Sequence, residues 1–201
     1  MSTVGDIFNG WSGYQTSLLH AIEPLTAGQL VWQPAPGVRS LGGVIRHLSL
    51  GRINWLARIS APGIEEVCAQ VPRWFTDSDG ARHVVEDAVP SDDNQILTRW
   101  LKLSWSPLQR ILEEWTIESL FQTYLHIFRG TRYEVSNQWT LWRILSHDMH
   151  HGGQIAMMLA CQNIPAFELR GLGGHIVTPP LAPPCRDSQQ PEPRLRAPKH
   201  P

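Results

Sequence analysis

The stretch SHDMHHGGQIAMMLA, residues 146–160, is the part of the chain on which its fold and its site depend most. Its histidines His147 and His151 are four residues apart, which places both imidazoles on one face of a helix, one turn from each other. Helices use this spacing to offer two nitrogens to one metal ion. Neutral imidazole nitrogens suit zinc, copper, iron and nickel. The alternative is a pair of interface histidines that hold no metal.

The apolar residues of this helix share one arc of its surface: Leu141, Leu145, Gly152, Ile155, Ala156 and Leu159. His151 lies at the edge of that arc, His147 about 40° further round, and His150 roughly opposite its centre. We therefore expect His150 to face solvent or to carry protons at a pocket rim. Asp148 falls inside the arc, where an unpaired carboxylate is costly, so it needs a partner. One option is a hydrogen bond that orients a ligand imidazole.

Four helices are predicted from apolar residues that recur every three or four positions. The first covers residues 4–25 and the second covers residues 41–60. The third begins near residue 92 and passes through Pro107, which should kink it. The fourth, which carries the histidines, runs from about 137 to 163.

The connections between these helices differ in character. Residues 26–39 form a tight crossing set by prolines, and residues 61–90 form a long irregular connection with room for a short helical turn. Residues 124–135 alternate around an Arg-Gly pair, which predicts a short β-hairpin. Five side chains of the long connection are candidates for a pocket rim, the alternative being a solvated loop held by its aromatics: Trp74, Phe75, Asp77, Asp79 and His83.

Three of the histidines outside the motif lie on predicted helices or on the predicted hairpin. His47 falls at the edge of the apolar arc of the second helix, where a boundary histidine usually finds a hydrogen bond and has no other role. It gains interest only beside His147 and His151. His20, near the end of the first helix, and His126, on the hairpin, belong to no cluster and are expected to be incidental.

Composition limits the classes of partner. The chain has 201 residues, a net charge of -1 and a pI near 6.7, which gives no electrostatic footprint for nucleic acid or an anionic membrane. Its three cysteines have no CxxC spacing, so neither a disulfide framework nor a cysteine zinc site is predicted. No signal peptide or membrane span is apparent. We expect a soluble protein in the reducing cytoplasm.

Domain organisation follows from the distribution of prolines. Residues 178–201 contain eight of the sixteen prolines and little apolar surface, so we expect them to form a mobile tail. Residues 1–177 are long enough to form one domain with a single core.

Two segments resemble the DinB family of metal-dependent four-helix-bundle proteins. They are RSLGGVIRHL, residues 39–48, and LSHDMHHGGQIAMML, residues 145–159. The resemblance extends over about residues 7–164, although the third helix matches only in pattern. It implies an all-α four-helix bundle with a long connection between helices 2 and 3 and a short β-hairpin before helix 4.

The resemblance also implies a ligand set and a function. His47, His147 and His151 would hold a divalent transition metal, with zinc preferred and nickel, manganese or iron as alternatives, in a protein that is often a homodimer. Some relatives are transferases or isomerases that use a low-molecular-weight thiol. The first hypothesis is therefore a metal-dependent transferase or hydrolase that acts on a small-molecule substrate, with Asp148 and His150 as candidate catalytic groups.

The sequence does not separate thiol transfer from hydrolysis, because no carboxylate is marked as a general base and no cysteine is placed as a nucleophile. A second hypothesis is a non-catalytic bundle stabilised by its metal, acting in stress response or as a dimeric interaction protein. A third, weaker hypothesis is a bundle in which the histidines only pack.

Overall fold

The computed structural model describes residues 3–165. Its helices and strands follow in this order: α1 (Val4–Ile7), α2 (Trp11–Ile22), α3 (Ala27–Leu30), α4 (Leu41–Arg58), α5 (Ile64–Cys68), β1 (Trp74–Thr76), β2 (Arg82–Val84), α6 (Asn94–Glu114), β3 (Thr123–Phe128), β4 (Thr131–Ser136) and α7 (Asn137–Cys161). The predicted mobile tail, residues 178–201, lies outside the described residues, as does the end of the predicted domain.

Helices dominate the fold, as the sequence predicts. The longest are α2, α4, α6 and α7, and α4 packs against both α6 and α7. Helix α4 is buried on more than one side, since the adjacent residues Leu48, Ser49 and Leu50 are all fully buried. A helix that is covered on several faces belongs at the centre of a domain. From this central position α4 supplies side chains to the candidate site.

The N-terminal third differs from the prediction in two places. The prediction of a single helix over residues 4–25 is wrong, because α1 and α2 are separate helices. They are divided at Gly10, whose φ of 100° only glycine adopts without strain. The prediction that residues 26–39 are irregular is also incomplete. Thr26 caps α3 by accepting a hydrogen bond from the Gln29 N–H, a local signal that the prolines of this segment obscured.

The long connection between α4 and α6 is more ordered than predicted. It contains α5 and an antiparallel pair of strands, β1 and β2, in the register Trp74↔Val84. The Asn54 side chain on α4 accepts a hydrogen bond from the Val84 N–H at 2.8 Å, which ties the connection to the helix. The sequence did not indicate these strands because each has only three residues.

Strands β3 and β4 pair antiparallel from Thr123↔Ser136 to Phe128↔Thr131, immediately before α7. Their two turn residues, Arg129 and Gly130, both have positive φ, as a tight turn matched to strand twist requires. The backbone N–H groups of both residues donate to the Asp79 carboxylate, which links this hairpin to the long connection.

Helix α6 continues through Pro107, which is buried within it, and the kink expected there remains a prediction. None of the helices within residues 3–165 combines the length and the apolar character needed to cross a membrane.

Candidate metal centre

The three histidines with metal-ligand spacing meet between two helices. His47 lies on α4, and His147 and His151 lie one turn apart on α7. His47 faces both α7 histidines, while Trp55, further along α4, faces Trp139, nearer the start of α7. The two helices therefore run antiparallel. This arrangement brings together residues that are 100 positions apart in the chain.

The three imidazoles are close enough to share one ion. The Nε2 atoms of His47 and His147 are 3.2 Å apart, and one candidate ligand atom from each of the three residues lies within 4.8 Å of the others. Two nitrogens bound to one zinc ion at about 2.1 Å in tetrahedral geometry are about 3.4 Å apart. The His47–His147 pair already has this separation, so the structure brings together the predicted ligands.

Hydrogen bonds at Nδ1 hold two of the three rings in place. His47 Nδ1 lies 2.6 Å from Glu86 Oε1, and His151 Nδ1 lies 2.7 Å from Gln154 Oε1. Because a carboxylate and an amide oxygen accept, both Nδ1 atoms donate their proton, which leaves the Nε2 lone pairs available. Ligand histidines are held in this way in metalloproteins. The donor set thus fits a divalent transition metal.

Burial favours the neutral form of the two α7 imidazoles. Burial lowers the pKa of His147 to about 3, and the neighbouring imidazoles of His151 and His47 add to this effect. Burial also lowers the pKa of His151, although the hydrogen bond with Gln154 opposes the shift. A neutral imidazole is the form that binds a metal. No proton has to be removed from these two rings at pH 7.

Glycines make room for this arrangement. A Cβ atom at Gly51 of α4 would lie 2.8 Å from Cε1 of His147, so a side chain at this position would push the ring away. A Cβ at Gly152 would overlap the Tyr14 hydroxyl, which donates a hydrogen bond to the Asp148 backbone carbonyl. The first glycine of the HHGG segment therefore lets α2 approach α7.

Asp148 lies on the core side of α7 and is fully buried. Its carboxylate accepts hydrogen bonds from Arg52 Nε and Nη2 at 2.8 to 3.0 Å, and from Trp11 Nε1 at 2.9 Å. The prediction that Asp148 needs a partner is confirmed. The prediction that it orients a ligand imidazole is wrong, because Arg52 and Trp11 occupy the carboxylate. No hydrogen bond joins Asp148 to a ligand histidine, so its contacts give no support to a catalytic role.

Glu86 takes the role that had been expected of Asp148. Burial raises the pKa of the Glu86 carboxyl, but the hydrogen bond and charge of His47, together with Arg39 and Arg46, lower it overall. Sequence reasoning missed Glu86 because it lies in a short 3₁₀ turn of the long connection, where no periodicity marks it. Only the length of that connection hinted at a functional segment.

His150 is exposed, as expected, and its Nε2 lies 3.2 Å from Gln154 Nε2. His20 and His126 lie in different surroundings. His20 lies on α2, outside the cluster. His126, which was expected to be incidental, lines a cavity of about 810 Å³.

This cavity lies between α4, α7, the β3–β4 hairpin and the long connection. Helix α4 contributes Trp55 and Arg58, and helix α7 contributes Trp139 and Arg143. None of the three histidines lines the cavity, but Arg143, which does, precedes His147 by one helical turn, so the cavity and the cluster lie about one turn apart along α7. Three of the five residues considered for a pocket rim line it: Asp77, Asp79 and His83.

These features define a class: a predominantly helical protein in which two antiparallel helices bring three imidazoles together beside a cavity. Residues 13–155 match the sequence model of the DinB superfamily, and the chain belongs to this superfamily. The resemblance noted in the two histidine-bearing segments is thus confirmed.

Two solved structures have a similar fold. A DinB-like protein from Bacillus cereus matches with a TM-score of 0.56 and 18% identity, over 78% of this chain and 90% of its own. A DinB-like protein from Bacillus subtilis matches with a TM-score of 0.50 and 14% identity, over 81% of this chain and 92% of its own. At these identities both support the fold alone. No protein with a curated description matches the sequence.

Proposed function

We propose that the protein is a metal-dependent enzyme that binds one divalent transition-metal ion through His47, His147 and His151 and takes a small-molecule substrate into the adjacent cavity. The observation that carries the proposal is the convergence of three imidazoles, two of which have their Nδ1 atoms engaged by Glu86 and Gln154. Zinc is the first ion to test, followed by nickel, manganese and iron.

Three protein ligands leave coordination positions for water and substrate, the arrangement of catalytic rather than structural sites. A bound ion would lower the pKa of a water or a thiol and polarise a substrate oxygen. The protein's own contribution is orientation: Glu86 fixes the His47 ring, Gln154 fixes the His151 ring, and Gly51 leaves space for His147. Both proposed reactions, transfer to a low-molecular-weight thiol and hydrolysis, are compatible with this arrangement.

Metal content tests the ligand assignment directly. The untagged protein, the His47→Ala variant and the His151→Ala variant should be analysed by mass spectrometry after purification. The control is His20→Ala, which removes an exposed histidine on α2, away from the cluster. We expect about one ion per chain in the wild type and the control, and loss of the ion in both ligand variants. Wild-type protein that takes up none of the four metals would contradict the assignment.

An experiment with cobalt separates an enzyme from a bundle that the metal merely stabilises. Co²⁺-loaded protein should change its visible spectrum when a thiol or azide is added, because an open position accepts the added ligand. A spectrum that does not change, combined with a large loss of stability on metal removal, would favour the non-catalytic hypothesis.

The proposal includes a homodimeric assembly and a cytoplasmic location. The free thiols of Cys68 and Cys161 are in keeping with a cytoplasmic location. Sedimentation velocity tests the assembly.

A further inference from the structure

Two arginines enter the cavity from the two helices that carry the histidines. The Cζ atom of Arg58 lies 4.3 Å from the centroid of the Trp55 ring, and the Cζ atom of Arg143 lies 4.5 Å from the same centroid. Within residues 3–165 neither guanidinium forms an ion pair with a carboxylate. Two positive charges thus share one indole, and no carboxylate of the described residues lies within 4.0 Å of either guanidinium.

The acidic side chains of the cavity are engaged elsewhere. Asp77 accepts hydrogen bonds from His83 and from backbone N–H groups of its own turn. Asp79 accepts from both backbone N–H groups of the β3–β4 turn, and Glu134 accepts from the Thr123 hydroxyl. These carboxylates organise loops, and none lies within ion-pair distance of the arginines.

Arg58 also carries an unused donor. Its Nε atom is buried and has no hydrogen-bond partner, while its Nη1 atom lies 3.5 Å from His126 Nδ1, at the limit for a hydrogen bond. Burial lowers the pKa of the Arg58 guanidinium, Tyr124 and Asp77 raise it, and the charge of Arg143 lowers it further. Arginine nevertheless stays charged in proteins, and buried polar groups without partners are uncommon. An anion bound between the two guanidiniums would supply the missing acceptor.

Aromatic rings complete the cavity. The Trp55 ring lies 5.6 Å from the rings of both His126 and Trp139, measured between centroids. Flat apolar surfaces beside a pair of guanidiniums suit a ligand with a planar body and a charged end. A volume of about 810 Å³ admits a drug-sized molecule.

We propose that the cavity binds a small organic anion, with Arg58 and Arg143 holding a carboxylate or phosphate group and Trp55, His126 and Trp139 packing on a planar apolar body. The proposal rests on the proposed function in one respect, that this anion is the substrate of the histidine site. Arg143 lies four residues before His147, about 6 Å along α7, so an anion held by Arg143 would lie about one helical turn from the cluster.

Binding of three matched probes tests the proposal. 1-Naphthoate and 1-naphthyl phosphate carry the anion, and 1-naphthamide is the neutral analogue of the first. Affinities should be measured by calorimetry on the wild type, on Arg58→Gln, on Arg143→Gln and on Arg132→Gln. The last variant removes an exposed charge of β4 that does not line the cavity. The metal-free His47→Ala variant is measured in parallel.

We expect the wild type and Arg132→Gln to prefer the anionic probes over 1-naphthamide by about tenfold or more, and each cavity arginine variant to lose most of that preference. The preference for carboxylate or phosphate identifies the anionic group. Equal affinities for the three probes, or no measurable binding of any, would overturn the proposal.

The His47→Ala variant separates this proposal from the proposed function. An anion preference that disappears in His47→Ala but survives in both arginine variants would mean that the anion binds the metal. This result would overturn the role of Arg58 and Arg143 and would leave the proposed metal enzyme intact. An anion preference in a wild type that binds no metal refutes the metal enzyme and keeps the anion-binding cavity. Metal binding without any anion preference refutes the anion-binding cavity and keeps the metal enzyme.

Discussion

Removing the Asp148 charge should destabilise the fold without emptying the metal site. In an Asp148→Asn variant the shape of the side chain is kept, but Arg52 is left as a fully buried charge without its counterion. Breaking a buried ion pair from one side costs about 4 kcal/mol of unfolding free energy. With a urea dependence of about 2 kcal/mol per molar, the unfolding midpoint should fall by about 2 M. The corresponding fall in Tm is about 12 °C.

The double variant Arg52→Met with Asp148→Leu is the matched control. It removes both charges and leaves apolar groups of similar size, a replacement that is often neutral in stability. We therefore expect it to unfold at higher urea than Asp148→Asn. Urea unfolding followed by circular dichroism measures both. An Asp148→Asn midpoint equal to that of the wild type, or a double variant that is less stable than the single one, would refute the reasoning.

Metal content gives this prediction a second readout. The Asp148 carboxylate contacts no ligand histidine, so folded Asp148→Asn should still take up about one ion per chain at low temperature. Loss of metal with unchanged stability would restore Asp148 to the site itself and contradict its assignment to the core.

Three further changes probe the ligands. Gly51→Ala should weaken metal affinity, measured by chelator competition, because the new Cβ crowds His147, and unchanged affinity would show that the ring moves freely. Glu86→Ala should lower metal affinity by about 10- to 100-fold, while Asp87→Ala, which removes the adjacent exposed acid, should not. Because the folded-state pKa of His147 lies below its unfolded value, metal-free protein should lose about 2 kcal/mol of unfolding free energy from this residue between pH 7 and pH 5. A His147→Gln variant should lack that share of the loss, as urea unfolding at the two pH values would reveal.

The features that could be predicted from the sequence are those with a local cause. Helical periodicity located α4, α6 and α7 to within a few residues, because burial on one face repeats every turn. The spacing of His147 and His151 placed both rings on one face for the same reason. Gly10 was overlooked because the apolar period continues across it, although its left-handed backbone ends the preceding turn.

The rest of the site depends on tertiary contacts that no local pattern records. His47 could be joined to the α7 histidines only through resemblance, since 100 residues separate it from His147. Its partner Glu86 lies in an irregular turn. The need of Asp148 for a partner was predictable from its place on the apolar arc, but the identity of Arg52 was not, because it depends on how α4 meets α7.

The contact between α4 and α7 also links stability to the site. Arg52 and Asp148 belong to the same two helices as the ligands, and Asp148 directly follows His147 in the chain. Successive helical residues are rotated by about 100°, so holding Asp148 in the core fixes the direction in which His147 points. The Tyr14 hydroxyl, bonded to the Asp148 carbonyl over Gly152, restrains the same turn from α2. The buried polar network therefore sets the rotation of α7, and this rotation places the imidazoles opposite His47.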